Sequence, residues 1–272
     1  MTAAELSRLQ VRRQFNAHAE EYDRYAVVQQ HVVDRLGGLF DWKVEPEGPV
    51  LEIGTGTGGL AQRILQSCPD LQLVLADLAH GMTRHARERL TINRAVDADA
   101  GELPFAASVF AGITSSSVYQ WVEPLPDAFR EVTRVLRPGG WFVFALFGEN
   151  SLCELKTSHR QALLDCGKEQ ASHVQEFPTI DDVAAALATS GMECTHIFTE
   201  QEVEFHQDVL TLLQGLKRIG AGNASKRRPP GLASRQVMQR MMEIYDEKHR
   251  CEEGIPATYE VIYTIAGKPV LV

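Results

Sequence analysis

The stretch VLEIGTGTGG, from Val50 to Gly59, constrains this chain more than any other. An apolar run closed by an acid and a glycine turn has the pattern of a buried parallel strand. The residues that follow, LAQRILQSC, space their apolar positions as a helix does. Glycines at 54, 56, 58 and 59 leave the backbone N–H groups of the strand-to-helix turn bare, with no Cβ between them and a ligand. The turn therefore points to a nucleotide-like ligand.

The surrounding chain supplies a fold for that turn. Strands at 49–53, 72–77, 94–98, 109–115 and 140–146 alternate with helices near 58–67, 81–90 and 125–136. Such alternation predicts an α/β fold with a Rossmann-like, doubly wound, mostly parallel sheet and ligands at the carboxyl ends of the strands. Gly54, Asp77, Asp99 and Ser115 all fall at those ends. Residues 1–45 read as amphipathic helix, with Phe15, Tyr22, Val28, Val32 and Leu36 facing inward. Further helices are expected at 151–167 and 180–190, and an antiparallel strand pair near 192–205 and 258–266. The expected organisation is one domain over 1–272. It comprises an N-terminal helical cap (1–45), a binding core (46–150), insertions at 151–178 and 206–250 forming a lid, and segments 179–205 and 256–268 completing the sheet.

The glycines satisfy two patterns. Gly54, Gly56 and Gly59 fit the dinucleotide fingerprint G-x-G-x-x-G. Glu52, Gly54, Gly56 and Gly58 fit E-x-G-x-G-x-G, which resembles the first motif of class I S-adenosylmethionine methyltransferases. A carboxylate repels a pyrophosphate but stabilises an ammonium or sulfonium, so Glu52 favours S-adenosylmethionine over NAD. Asp77, 25 positions after Glu52, can accept the ribose hydroxyls of either ligand, or cap the helix after it. Asp99, in VDADAGELPF, resembles the methyltransferase acid that accepts the adenine amino group, and LRPGG at 136–140, a tight turn before the apolar strand WFVFALF, is a further landmark of that class.

Composition excludes some classes. The longest clearly apolar run, WFVFALF, is far short of the ~20 residues a membrane helix needs. Arg8, Arg12 and Arg13 are followed by no apolar segment, so no secretory signal is read. Five cysteines without a C-x-x-C pair indicate free thiols and a cytoplasmic setting, and the nine histidines show no metal-ligand spacing. Charge is segregated. Val209 to Met242 contains no Asp or Glu but seven cations: Lys217, Arg218, Lys226, Arg227, Arg228, Arg235 and Arg240. With the whole chain at −9, the remainder carries −16. A local positive field on an acidic protein suits an acidic protein partner better than nucleic acid. The bland reading is a solvated helical face.

Over nearly its whole length the chain resembles the malonyl-acyl carrier protein O-methyltransferase family. The opening helix FNAHAEEYDRYAVVQ, the segment SSSVYQW, the segment GLKRIGAGNA and the closing TYEVIY carry the likeness. The resemblance implies transfer of a methyl group from S-adenosylmethionine to the free carboxylate of a malonyl thioester on acyl carrier protein, opening the pimeloyl branch of biotin synthesis. It implies that Tyr22, Gln29 and Gln120 lie near the cofactor, with Thr55, Leu78, Met82, Ala100 and Ser115 completing the set around the glycines and acids. Tyr22, Tyr119 and Tyr259 are candidates for the methyl-transfer chamber, and Trp121 for core packing. Lys217, Arg218, His173 and Tyr259 are candidates for the substrate, with Arg218 inward because its fork matches a carboxylate. Lys226, Arg227, Arg228, Arg235 and Arg240 would dock the carrier protein. One departure stands out: Gln175 and Glu176 occupy positions where the family carries Asn-Arg, which removes a cation. Two other readings stay open. One is a small-molecule methyltransferase acting on a free acid or quinone precursor; the other is a non-catalytic protein of the same fold that binds a partner.

Overall fold

The computed structural model describes residues 3–42, 48–168, 176–219 and 235–270. Its centre is a seven-stranded sheet of order β3-β2-β1-β4-β5-β7-β6. Strands β1 (Val50–Ile53), β2 (Leu73–Asp77), β3 (Ala95–Asp97), β4 (Phe110–Ser116) and β5 (Leu136–Phe147) run parallel. The last two, β6 (Glu193–His206) and β7 (Ile255–Gly267), form the antiparallel edge, β7 pairing with β5 from Trp141↔Gly267 to Phe147↔Val261. The sheet order places β1 and β4 side by side at the reversal of strand order, where a crevice opens.

Alternation along β5 divides the core. Val143, Ala145 and Phe147 point to the face covered by α3 (Val27–Leu39), α4 (Gly59–Ser67), α7 (Cys153–Asp165) and α10 (Arg235–His249). Phe142, Phe144 and Leu146 point to the other face, under α6 (Leu125–Val135) and α8 (Ile180–Thr189). Successive strand side chains face opposite ways, so a run as apolar as WFVFALF feeds both layers. Each fully buried Phe contributes about 1.5–3 kcal/mol. The start of α8 follows from its sequence: Thr179 accepts from the Asp182 amide (3.0 Å) and Asp182 accepts from the Thr179 amide (2.9 Å), a reciprocal cap.

Several boundaries differ from expectation. LRPGG is not a turn before β5 but a bulge inside it, because Leu136 pairs with Phe110 and Trp141 with Gly112. The N-terminal helix breaks into α1 (Ala3–His18), α2 (Tyr22–Tyr25) and α3, which lets α2 fold down on the glycine turn. There Asp23 accepts from the Thr57 hydroxyl and pairs with Arg89 at 2.9 Å. Helix α5 (His80–Leu90) receives its cap from α1, Asn16 Oδ1 accepting from the Gly81 amide at 2.6 Å. Of the insertion 206–250, α9 (Val209–Arg218) lies against α2, and α10 packs on α7.

Candidate functional site

Two clefts open at the carboxyl ends of β1, β2 and β4, about 780 Å³ and 830 Å³ to their mouths. Tyr22, Gly54, Gly56, Ser116 and Ser117 border both, so the two form one elongated site with a shared waist. The turn can make that waist because of its backbone. Gly54 has φ +70° and stands against Val118, whose Cγ2 would lie 2.0 Å from an added Cβ. Gly56, at φ +53°, has open space where a Cβ would stand.

The first cleft is apolar with acids at fixed points. Leu78, Met82, Ala98, Ala100 and Val122 line a slot beside Asp77 and Asp99. Asp77 accepts the Gly56 amide on one oxygen (2.9 Å) and the Ala79 amide on the other (2.8 Å). A carboxylate has four lone-pair sites, so Asp77 keeps acceptor capacity for a ribose hydroxyl. Burial, with a smaller contribution from Asp97, pushes the Asp77 pKa up to about 6, against the pull of the Ala79, Gly56 and Leu78 amides. Asp99 accepts from the Gly101 amide (2.8 Å) and pairs with Arg8 of α1 at 3.1 Å.

The second cleft holds the other acid. Glu52 is 1% exposed, accepts from the Thr55 hydroxyl (2.9 Å) and borders the cleft with Thr55 and Gln29. Burial, reinforced by the charge of Asp77, raises its pKa to about 8, while the bond from Thr55 lowers it. An ammonium in this cleft would meet a carboxyl able to ionise toward it. At the waist, Ser116 Oγ and Ser117 Oγ are buried without a hydrogen-bond partner in the described protein. Buried hydroxyls left unpaired are costly, and here both stand at the edge of a cavity. Burial, then Asp77 and Asp23, keeps the Tyr22 hydroxyl protonated.

Rings extend from this waist in a chain. Tyr22 and Phe15 are 6.2 Å apart, Phe15 and Trp121 6.3 Å, Trp121 and Phe177 6.4 Å, Phe177 and Phe147 6.3 Å, and Phe147 and Tyr259 5.5 Å. Tyr259, on β7, thus joins the site through intermediate rings. Trp121 borders the first cleft and is more than core packing.

Several expectations need correction. Tyr119 is enclosed by Phe129, Phe142 and Phe144 (5.1, 5.7 and 5.9 Å) in the core under α6, so it does not line the chamber. Ser115 spends its hydroxyl on the Ile53 carbonyl (2.8 Å) inside the sheet; the cleft instead receives Ser116 and Ser117. Gln120 is buried beside Tyr119 and borders neither cleft. Gly58 is the N-cap of α4 and backs onto Ala86 and Leu90 of α5. Lys217 and Arg218 are both exposed at the end of α9; Arg218 pairs with Glu21 (2.7 Å) and lies over the Tyr25 ring, so neither points inward. Arg240 is held by Asp165 and Glu243 (2.8 and 3.3 Å), which cancels its charge as a docking group. Arg235 is exposed at the start of α10. His173, Lys226, Arg227 and Arg228, like Gln175, lie outside the described residues. Arg8, Ser116 and Ser117 were missed. For the serines the signal was present, because the run SSS continues past the expected strand end.

A family model described as "Methyltransferase domain" matches residues 51–144, from β1 into β5. The chain is 44% identical over 267 residues to a malonyl-[acyl-carrier protein] O-methyltransferase of Geobacter sulfurreducens, covering 97% of this chain and 100% of that one. It is 35% identical to a protein of the same name from Laribacter hongkongensis, over 95% and 89% of the two chains. A biotin biosynthesis bifunctional protein of Teredinibacter turnerae is 31% identical over 94% of this chain, which spans 46% of that longer protein. Among solved structures, one described as a methyltransferase of Bacillus halodurans superposes with TM-score 0.61 at 16% identity, over 88% of this chain and 99% of that one. That likeness establishes the fold.

Proposed function

The chain belongs to the malonyl-[acyl-carrier protein] O-methyltransferase family, and from that premise we propose that it methylates the free carboxylate of a malonyl thioester on acyl carrier protein. The product would serve pimeloyl and biotin synthesis, in the cytoplasm. The observation that supports it most is the continuous site: an acid-studded nucleoside slot and an aromatic chain meeting at Tyr22.

The residues fit S-adenosylmethionine. Asp77 keeps acceptor capacity for the ribose, and Asp99 borders the apolar slot suited to adenine. Glu52 answers an ammonium, and the hydroxyls of Ser116 and Ser117 need partners. When bound, the cofactor supplies a methyl group on a cationic sulfur, which keeps the electron pair of the broken C–S bond as an oxygen lone pair forms the new O–CH3 bond. The chain's task is alignment. A malonyl carboxylate is ionised at neutral pH and needs no general base. Ring faces of Tyr22, Phe15 and Trp121 would exclude water and stabilise a cation near them. Arg235, with Lys226, Arg227 and Arg228 in the same basic stretch, would dock the acidic carrier, and the parts of insertions 151–178 and 206–250 outside α7 and α10, which pack on the sheet, would act as a lid.

The test pairs binding with product. Titration calorimetry should show S-adenosylmethionine binding, and incubation with malonyl-carrier protein should yield a base-labile methyl ester, whereas acetyl-carrier protein should yield none. Binding without any ester would leave a non-catalytic partner-binding role. An ester formed on a free acid but not on the carrier would favour a small-molecule enzyme.

A further inference from the structure

We propose that Lys156 holds the substrate carboxylate, an inference that rests on the malonyl reading above. Lys156 lies on α7, with Nζ 5.1 Å from the centre of the Phe177 ring. Phe177 is the ring that joins Trp121, on the wall of the first cleft, to Phe147 and Tyr259. Lys156 therefore brings a cation to the middle of the aromatic chain that leads from the waist. Its partner in the structure is a backbone carbonyl, that of Glu149 at 2.7 Å. An ammonium has three donors, so two remain for a ligand.

Among the described residues, the other candidate cations are placed differently. Arg8, the other cation bordering these rings, is paired with Asp99. Arg218 is paired with Glu21, and Lys217 is exposed on α9. Burial pulls the Lys156 pKa below its ordinary value, while Cys153, then Glu176, Glu149 and Glu260, favour the charged form. The two oxygens of Glu260 accept from the Asn150 amide and side chain (both 3.0 Å), which draws part of its charge away from Lys156. The chemistry also suits lysine. A guanidinium engages both oxygens of a carboxylate, whereas an ammonium is a point charge that can hold one. The other oxygen then keeps its full charge for attack on the methyl group.

The test compares two ligands that differ only in the carboxylate. Cofactor-free enzyme should bind malonyl-carrier protein more tightly than acetyl-carrier protein. In Lys156→Met, which keeps the aliphatic stem, the malonyl affinity should fall about tenfold to the acetyl level, with acetyl and S-adenosylmethionine affinities unchanged. Lys156→Arg should retain malonyl binding within about threefold but lose more in kcat, because the fork draws charge from both oxygens. Malonyl and acetyl affinities falling together would assign Lys156 a structural role and overturn the inference, as would a malonyl affinity that does not move. A wild-type enzyme that methylates no malonyl-carrier protein would instead overturn the function on which it rests.

Discussion

Asp77 is the residue on which cofactor affinity turns. It ties the glycine turn to the start of α5 and still has lone pairs to offer. Asp77→Ala should raise the dissociation constant for S-adenosylmethionine at least tenfold, about 1.4 kcal/mol, as read by calorimetry. Its pKa of about 6 sets a pH dependence. A proton on the carboxyl occupies an acceptor, so affinity should weaken by up to about tenfold per unit as pH falls below 6. Glu52 acts in the opposite window. With a pKa of about 8 it is largely protonated at pH 7 in the free protein, and a cationic ligand favours the ionised form. Binding at pH 7 should therefore release protons, seen as enthalpies that differ between buffers of different ionisation heat; no buffer dependence would contradict that role. Tyr119→Phe should leave turnover within about twofold and stability unchanged or higher by up to about 1 kcal/mol, since its hydroxyl is buried without a partner in the described protein. Residues were legible where chemistry and strand-end position coincide, as at Glu52, Gly54, Asp77 and Asp99. Tyr119 misled because a tyrosine near a site and a tyrosine in a core read alike in one sequence. Arg8 was illegible, as its pairing with Asp99 spans a separation no local pattern encodes.

At the scale of elements, the glycine turn and the short turn after β4 are packed into each other. Gly54→Ala should abolish measurable cofactor binding, because a Cβ at φ +70° is strained and meets Val118. Adding Val118→Ala should restore part of the binding by removing the collision with Cγ2, leaving the backbone strain and a tight 3.1 Å contact with Cβ. Equal loss in both variants, by calorimetry, would show that the contact is unimportant. Parallel strands and the helices between them were readable because period and punctuation agree there. The bulge in β5 was not, since LRPGG has turn chemistry whether the strand stops or only buckles. The break between α1 and α3 is likewise tertiary in origin, set by Asp23 reaching Thr57 and Arg89.

Over the whole molecule, the charge imbalance seen in the sequence is softened by folding. Two of the seven cations of 209–242, Arg218 and Arg240, are neutralised by acids outside the stretch. Docking of an acidic carrier should still weaken with salt, because exposed charges are screened beyond ~8 Å at 0.15 M. Arg235→Glu should raise KM for the carrier substrate several-fold and leave the cofactor constant unchanged; salt-insensitive turnover would remove the basic surface from the mechanism. The most direct measurement of the central claim is kcat/KM for labelled methyl transfer to malonyl-carrier protein, malonyl-coenzyme A and free malonate under one set of conditions. The site and its basic flank predict a marked preference for the carrier-bound thioester, with free malonate the poorest acceptor. Equal or greater transfer to free malonate, or none to the carrier-bound form, would contradict it.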